Sequence, residues 1–126
     1  MPTHFLYIFV LSKLISNVIL LKPFETNSIH TFKNDGMILN LNIILMVQNI
    51  SLLLINENGQ KMPTNYERYE YSASISDFKK CYVTLKNNNN VQTNVTYFIT
   101  YSWEMPWEAE LFSFAPLSFG ISTAVI

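Results

Sequence analysis

The chain has 126 residues, of which 49% are hydrophobic and only 13% charged, and its net charge is −1. That length fits one domain, and the apolar share allows a sizeable core with little charge to cover it. Eight cations, with a single arginine at Arg68, form no basic face for phosphate neutralisation, so nucleic-acid binding is set aside.

Phe5 to Leu21, "FLYIFVLSKLISNVILL", opens the chain. Phe5 to Leu11 supplies the apolar core of a secretory signal, and Ser16 is small enough to precede a cleavage point. His4 alone precedes that core, and Lys13 interrupts it; a transmembrane span would need about 20 apolar residues. Residues 1–21 are therefore read as a signal peptide or signal anchor, and 22–126 as the folded domain. The competing reading makes this run the first buried element. Membrane contact is expected only through an uncleaved N-terminal segment.

"NDG" at 34–36 is a turn, and the next stretch alternates: Leu39, Leu41 and Ile43 against Asn40 and Asn42. Period-two alternation is the mark of a half-buried strand. "VQN" interrupts it, "ISLLLIN" is a second strand, and "NENG" closes it as a turn with Gly59 free to take positive φ. Residues 56–65, with Gly59 and Pro63, read as a connecting loop. Tyr69, Tyr71, Ala73 and Ile75 then alternate with polar neighbours. "DFKK" follows as a turn, and "CYVTL" as the partner strand of a hairpin, with Cys81, Val83 and Leu85 on one face. Polar "KNNNN" ends that strand; the chain's 14 asparagines reflect compositional bias and imply no function by themselves. "VQTNVTYFITYSW" is a further strand, "EAELFSF" a weaker one, and "LSFGISTAVI" a last apolar strand. About seven short strands separated by turns predict an all-β fold, a single antiparallel β-sandwich of jelly-roll type.

Candidate chemistry is sparse. Cys81 is the sole cysteine, which excludes an internal disulfide framework and any multi-cysteine zinc site. It lies behind Lys79 and Lys80, which could favour a thiolate, but its strand face puts it in the core, where a thiol is inert. No histidine base is near in sequence. His4 and His30 are too far apart to suggest a metal site, and no metal is expected. Glycines stand only at 36, 59 and 120, so no phosphate-cradling loop or Rossmann turn is present, and no cofactor is expected. Glu104, Glu108 and Glu110 surround Trp103 and Trp107. Carboxylates beside aromatics can serve glycosidase chemistry or hold calcium, but three in a short segment more often form a solvated edge. Trp103 and Trp107 are candidate sugar-stacking residues, with core packing the competing role. Asn49-Ile50-Ser51 and Asn94-Val95-Thr96 are N-glycosylation acceptors, consistent with an extracellular glycoprotein.

The order of these features resembles the farnesoic acid O-methyltransferase-type domain. "LNLNIILMVQNISLLL" resembles its opening strand pair. "YEYSASI" and "KCYVTL", with Tyr69, Glu70 and Cys81, resemble its middle strands; "PWEAEL" with Trp107 and "LSFGIS" with Gly120 resemble its later ones. The likeness spans residues 37–122. It implies a β-sandwich without a methyl-donor site and without catalytic residues to carry over. The family's closing strand would lie beyond Ile126, so the resemblance implies a domain without its last strand, in a chain that is a fragment or short isoform. The function expected is a non-catalytic, secreted or surface β-sandwich that binds a carbohydrate or protein ligand. The alternative is a methyltransferase acting on a small terpenoid acid such as farnesoic acid, and a cytoplasmic location goes with an enzyme.

Overall fold

The computed structural model describes residues 12–106. Nine strands form two antiparallel sheets. In chain order they are β1 (Lys13–Leu21), β2 (Thr26–Lys33), β3 (Ile38–Leu45), β4 (Ile50–Asn56), β5 (Lys61–Met62), β6 (Asn65–Glu67), β7 (Glu70–Ile75), β8 (Lys80–Asn87) and β9 (Thr93–Glu104). One sheet has the order β1-β9-β3-β7-β6 and the other β2-β8-β4-β5. Every pairing is antiparallel: β1 with β9, β2 with β8, β3 with β7, β4 with β5. The chain is thus one long hairpin, doubled back near Gly59 and rolled into a sandwich, which is jelly-roll winding. The all-β sandwich expected from the alternation is the observed fold.

The core is the sum of the inward faces. Leu39, Leu41 and Ile43 of β3 and Val95, Tyr97 and Ile99 of β9 line one sheet and face Leu52 and Leu54 of β4 and Cys81, Val83 and Leu85 of β8 on the other, all buried. Asn40 and Asn42 point the other way, because successive side chains in a strand alternate faces. Burying one Leu or Ile contributes about 2 kcal/mol, so this interior supplies most of the driving force.

Two expectations change and one strand is new. First, β7 and β8 are not a hairpin. β7 pairs with β3 in one sheet and β8 with β2 and β4 in the other. Residues 76–79 cross between sheets, turned by Asp77 at φ 57° and anchored by buried Phe78. A four-residue link looks the same in sequence whether it turns within a sheet or arches between two. Second, the segment 56–65 holds β5 and the start of β6 in addition to its turn. Third, Thr26–Lys33, which alternates poorly, forms β2; its register slips at a bulge between Ser28 and His30. The N-terminal run divides: Phe5–Leu11 lies outside the described residues, while Lys13–Leu21 is β1, matched residue for residue to β9 with Leu21 fully buried. The weaker strand at 108–114 and the last strand at 117–126 lie outside the described residues.

Candidate functional site: a tyrosine hairpin

Among the described residues, the β6–β7 turn is where two consecutive non-glycine residues take positive φ. Glu67 pairs with Glu70, leaving a two-residue loop, Arg68-Tyr69. Both loop residues have positive φ, 53° and 68°. That is the backbone of a type I′ turn, which the twist of adjacent strands favours and which ordinarily takes Asn-Gly. A tyrosine or arginine in the left-handed region costs roughly 1–2 kcal/mol. The turn sets Tyr69 in solvent at 77% exposure, beside Tyr66 at 58%. Tyr66 packs on half-buried Tyr71, centroids 4.5 Å apart. Burial, with Tyr66 beside it, raises the Tyr71 phenol above its ordinary pKa, against a hydrogen bond with the Leu52 backbone.

This aromatic group walls a shallow cleft of about 250 Å³, whose other side is Leu45, Val47 and Ile50 around the β3–β4 link. On the far side of the hairpin a second depression of about 320 Å³ is lined by Glu67, Arg68, Glu70, Asn42 and Ser72. The chain's single arginine therefore stands at the same tip as the most exposed tyrosine among the described residues. Tyrosine and arginine are the residue types that concentrate binding energy at protein interfaces.

The β3–β4 link that lines the cleft is held by the asparagine run, through Asn89. Asn87 is fully buried. Its Nδ2 donates to the carbonyls of Lys22 and Val91, both at 3.0 Å, and of Leu21 at 3.4 Å. Its Oδ1 accepts from Asn89 N at 2.9 Å and Asn89 Nδ2 at 3.0 Å. Asn49 Nδ2 donates to Asn89 Oδ1 at 3.2 Å, and Asn88 Nδ2 to Ser51 Oγ at 2.7 Å. Three loops, at 22–25, 46–49 and 88–92, are thereby tied together at one end of the sandwich. Composition gave no hint of this: four consecutive asparagines carry no periodicity that marks one of them as buried.

Cys81 is buried among Val83, Leu85 and Phe32, and burial pushes its thiol up to about 12. Lys79 and Lys80 are exposed, and their backbone N–H groups donate to Glu57 Oε1 at 2.9 and 3.1 Å. Those two bonds pull the Glu57 carboxyl below its usual range. Lys79 ends the inter-sheet link and Lys80 opens β8, and among the described residues no basic side chain is placed against the thiol. His30 is half-buried against Phe32, and desolvation lowers its pKa. Among the described residues no group of three or more His, Cys, Asp or Glu is placed to hold a metal.

Trp103 sits on the inward face of β9, stacked on Phe78 at 6.5 Å and edge-on to Phe32 at 6.2 Å. Glu104 accepts from Asn40 Nδ2 at 3.1 Å. Trp107, Glu108 and Glu110 lie outside the described residues, as does His4. Both sequon asparagines, Asn49 and Asn94, are exposed. Asn49 adopts φ 64° in the β3–β4 link, beside the tyrosine cleft, and Asn94 lies on β9 opposite Leu20. The tyrosine hairpin itself was missed in sequence because Tyr69 reads there as one inward position of an alternating strand.

No protein-family model matches the sequence, and no curated protein does. Among solved structures, the chain resembles the periplasmic lysozyme inhibitor of g-type lysozyme from Aeromonas hydrophila. The TM-score is 0.54 at 9% identity, over 74% of this chain and 86% of that one. At that identity the likeness is one of fold.

Proposed function

We propose that the chain is a non-catalytic binding module, that its ligand is a protein, and that the Tyr66–Tyr69–Tyr71 cleft is the contact surface. The observation that carries this reading is Tyr69: a large aromatic kept in solvent by a turn whose backbone disfavours it. Strain retained at an exposed aromatic favours recognition over stability as the reason for its presence. The likeness to an inhibitor of g-type lysozyme supports a protein as the ligand class and an extracellular location for the chain. The two exposed sequons are in keeping with that location.

The first probe is a g-type lysozyme, titrated against the full chain by calorimetry and by cell-wall lysis. Saturable binding that weakens at least tenfold in Tyr69→Ala, with an unchanged melting temperature, supports the reading. Binding insensitive to Tyr66→Ala and Tyr69→Ala moves the surface elsewhere. Binding of chitooligosaccharides in place of protein would restore the carbohydrate reading, for which Trp103 and Trp107 were the sequence candidates. Saturable micromolar binding of S-adenosylmethionine would favour the methyltransferase alternative that the farnesoic acid O-methyltransferase-type resemblance carries in its name.

A further inference from the structure

Among the described residues the two sheets end in four edge strands: β1 and β6 in one, β2 and β5 in the other. Open edges invite pairing with another chain, and proteins blunt them with short strands, bulges, prolines or charges. β5 has two residues and β6 three, and β2 carries the bulge between Ser28 and His30. β1 has only one of these, a charge at its first residue. It is nine residues long, unbroken in register, free of proline, and charged only at Lys13. Its outward face is apolar, with Leu14, Val18 and Leu20 exposed by 65%, 56% and 51%.

The sequence of β1 is also nearly symmetric about Asn17. Ile15 and Ile19 stand at equal distances on either side, as do Leu14 and Leu20, with Ser16 and Val18 between. The backbone obeys the same centre. Val18 N–H is held at 2.8 Å by Asn17 Oδ1, so it does not bond to β9. By the alternation of a strand's polar groups, positions 14, 16, 18 and 20 present N–H and C=O to the open edge.

We propose that two copies of this chain join along β1, antiparallel and edge to edge, about a twofold axis at Asn17. In this register Asn17 meets Asn17 of the second copy as a non-hydrogen-bonded pair. Ser16 meets Val18 and Leu14 meets Leu20, each pair exchanging two backbone hydrogen bonds. Leucine meets leucine on the outer face, isoleucine meets isoleucine toward the core, and no charge is buried at the centre. Such an interface is isologous and closes on itself, so it yields a dimer and not a fibre. The Asn17 amide that now holds Val18 N–H is released when the partner's carbonyl replaces it. β6 is the opposite edge of the same sheet, so a dimer carries its two tyrosine hairpins at the outer ends of one continuous sheet. Bivalent binding rests on the function proposed above; the joint at β1 does not.

Sedimentation equilibrium of the full chain from 1 to 200 µM gives the first reading. A concentration-dependent rise toward twice the 14.6 kDa chain mass is expected. Val18→Lys, which places a charge on the edge, should stay monomeric and keep its melting temperature. Register is read by cysteine pairing under mild oxidation with diamide, since buried Cys81 does not compete. Facing Cα atoms in a non-hydrogen-bonded pair stand about 4.5 Å apart, within disulfide range. Asn17→Cys should therefore crosslink to a dimer. Leu14→Cys alone should not, while Leu14→Cys combined with Leu20→Cys should. A monomer at 200 µM with no Asn17→Cys crosslink overturns the proposal. So does a Leu14→Cys crosslink as efficient as that of Asn17→Cys, or a dimer formed only after residues 107–126 are deleted.

Discussion

Replacing Asn87 by alanine removes one side chain and breaks the tie among three loops. The bonds lost are three from Nδ2, to the carbonyls of Leu21, Lys22 and Val91, and two onto Oδ1, from Asn89 N and Nδ2. An intramolecular hydrogen bond contributes about 1 kcal/mol net, and a buried partner left unpaired costs about 1–3 kcal/mol. The Leu21 carbonyl lies inside, whereas the groups of Lys22, Val91 and Asn89 border solvent and recover water. The expected loss is therefore about 3 kcal/mol, a large share of a domain stability of about 5–15 kcal/mol. Urea unfolding followed by tryptophan fluorescence measures it directly, with the transition midpoint falling at constant slope. Asn87→Asp keeps the acceptor but aims a carboxylate at three carbonyl oxygens. That raises the folded-state pKa of the new aspartate above its unfolded value of about 3.9. A raised pKa means stability that is present below the unfolded value and lost as pH rises through the folded value. The variant should thus be less stable at pH 7 than at pH 4, relative to the parent. A loss below 1 kcal/mol in Asn87→Ala would refute the hub assignment, and so would an Asn90→Ala change of equal size, since Asn90 is exposed at the loop tip.

Cys81 should react with a thiol reagent such as Ellman's only at the rate of opening, with full reaction in urea, because burial holds the thiol at about 12; prompt labelling at pH 8 would contradict its core position. His30 has a lowered folded pKa, so its contribution to stability is present above about pH 6.5 and declines as pH falls through the folded value. Denaturant melts at pH 7.5 and 5 should show that decline, and His30→Phe should reduce it. Tyr69→Gly should raise stability by about 1 kcal/mol by relieving the left-handed backbone, and should weaken ligand binding in the calorimetric assay. A Tyr69→Gly variant less stable than the parent would remove the strain argument.

The elements legible in sequence were those in which burial and alternation coincide. β3, β4, β8 and β9 each put every second residue into one core, and a period of two is visible without knowing which strand lies opposite. Pairing was not legible. The link at 76–79 was read as a hairpin turn because "DFKK" has turn chemistry, yet Phe78 within it is buried and carries the chain to the other sheet. β2 was silent because a bulge shifts the face of its side chains midway, so no single alternation runs through it. The site was the least legible of all. Tyr69 fell into a strand pattern when it is the second residue of the preceding turn, and one position of offset separates an inward aromatic from a solvent-exposed one.

Two departures from local rules, at Arg68-Tyr69 and along β1, differ in kind. A type I′ turn of Arg-Tyr is a local conflict, since each residue opposes the backbone it adopts. An apolar edge without a partner strand among the described residues is a global one, since β1 folds well within its own sheet and leaves half of its backbone groups facing outward. Consistent sequences resolve such conflicts, and those kept in an otherwise well-patterned domain point to contacts outside the chain. The strained turn concentrates an aromatic and a cation at one small tip, which suits recognition by a few side chains. The symmetric edge spreads backbone groups and aliphatics along nine residues, which suits a like strand and little else. These two surfaces sit on opposite edges of one sheet, so occupying one leaves the other open, and one-to-one binding at each hairpin should be unaffected by Val18→Lys.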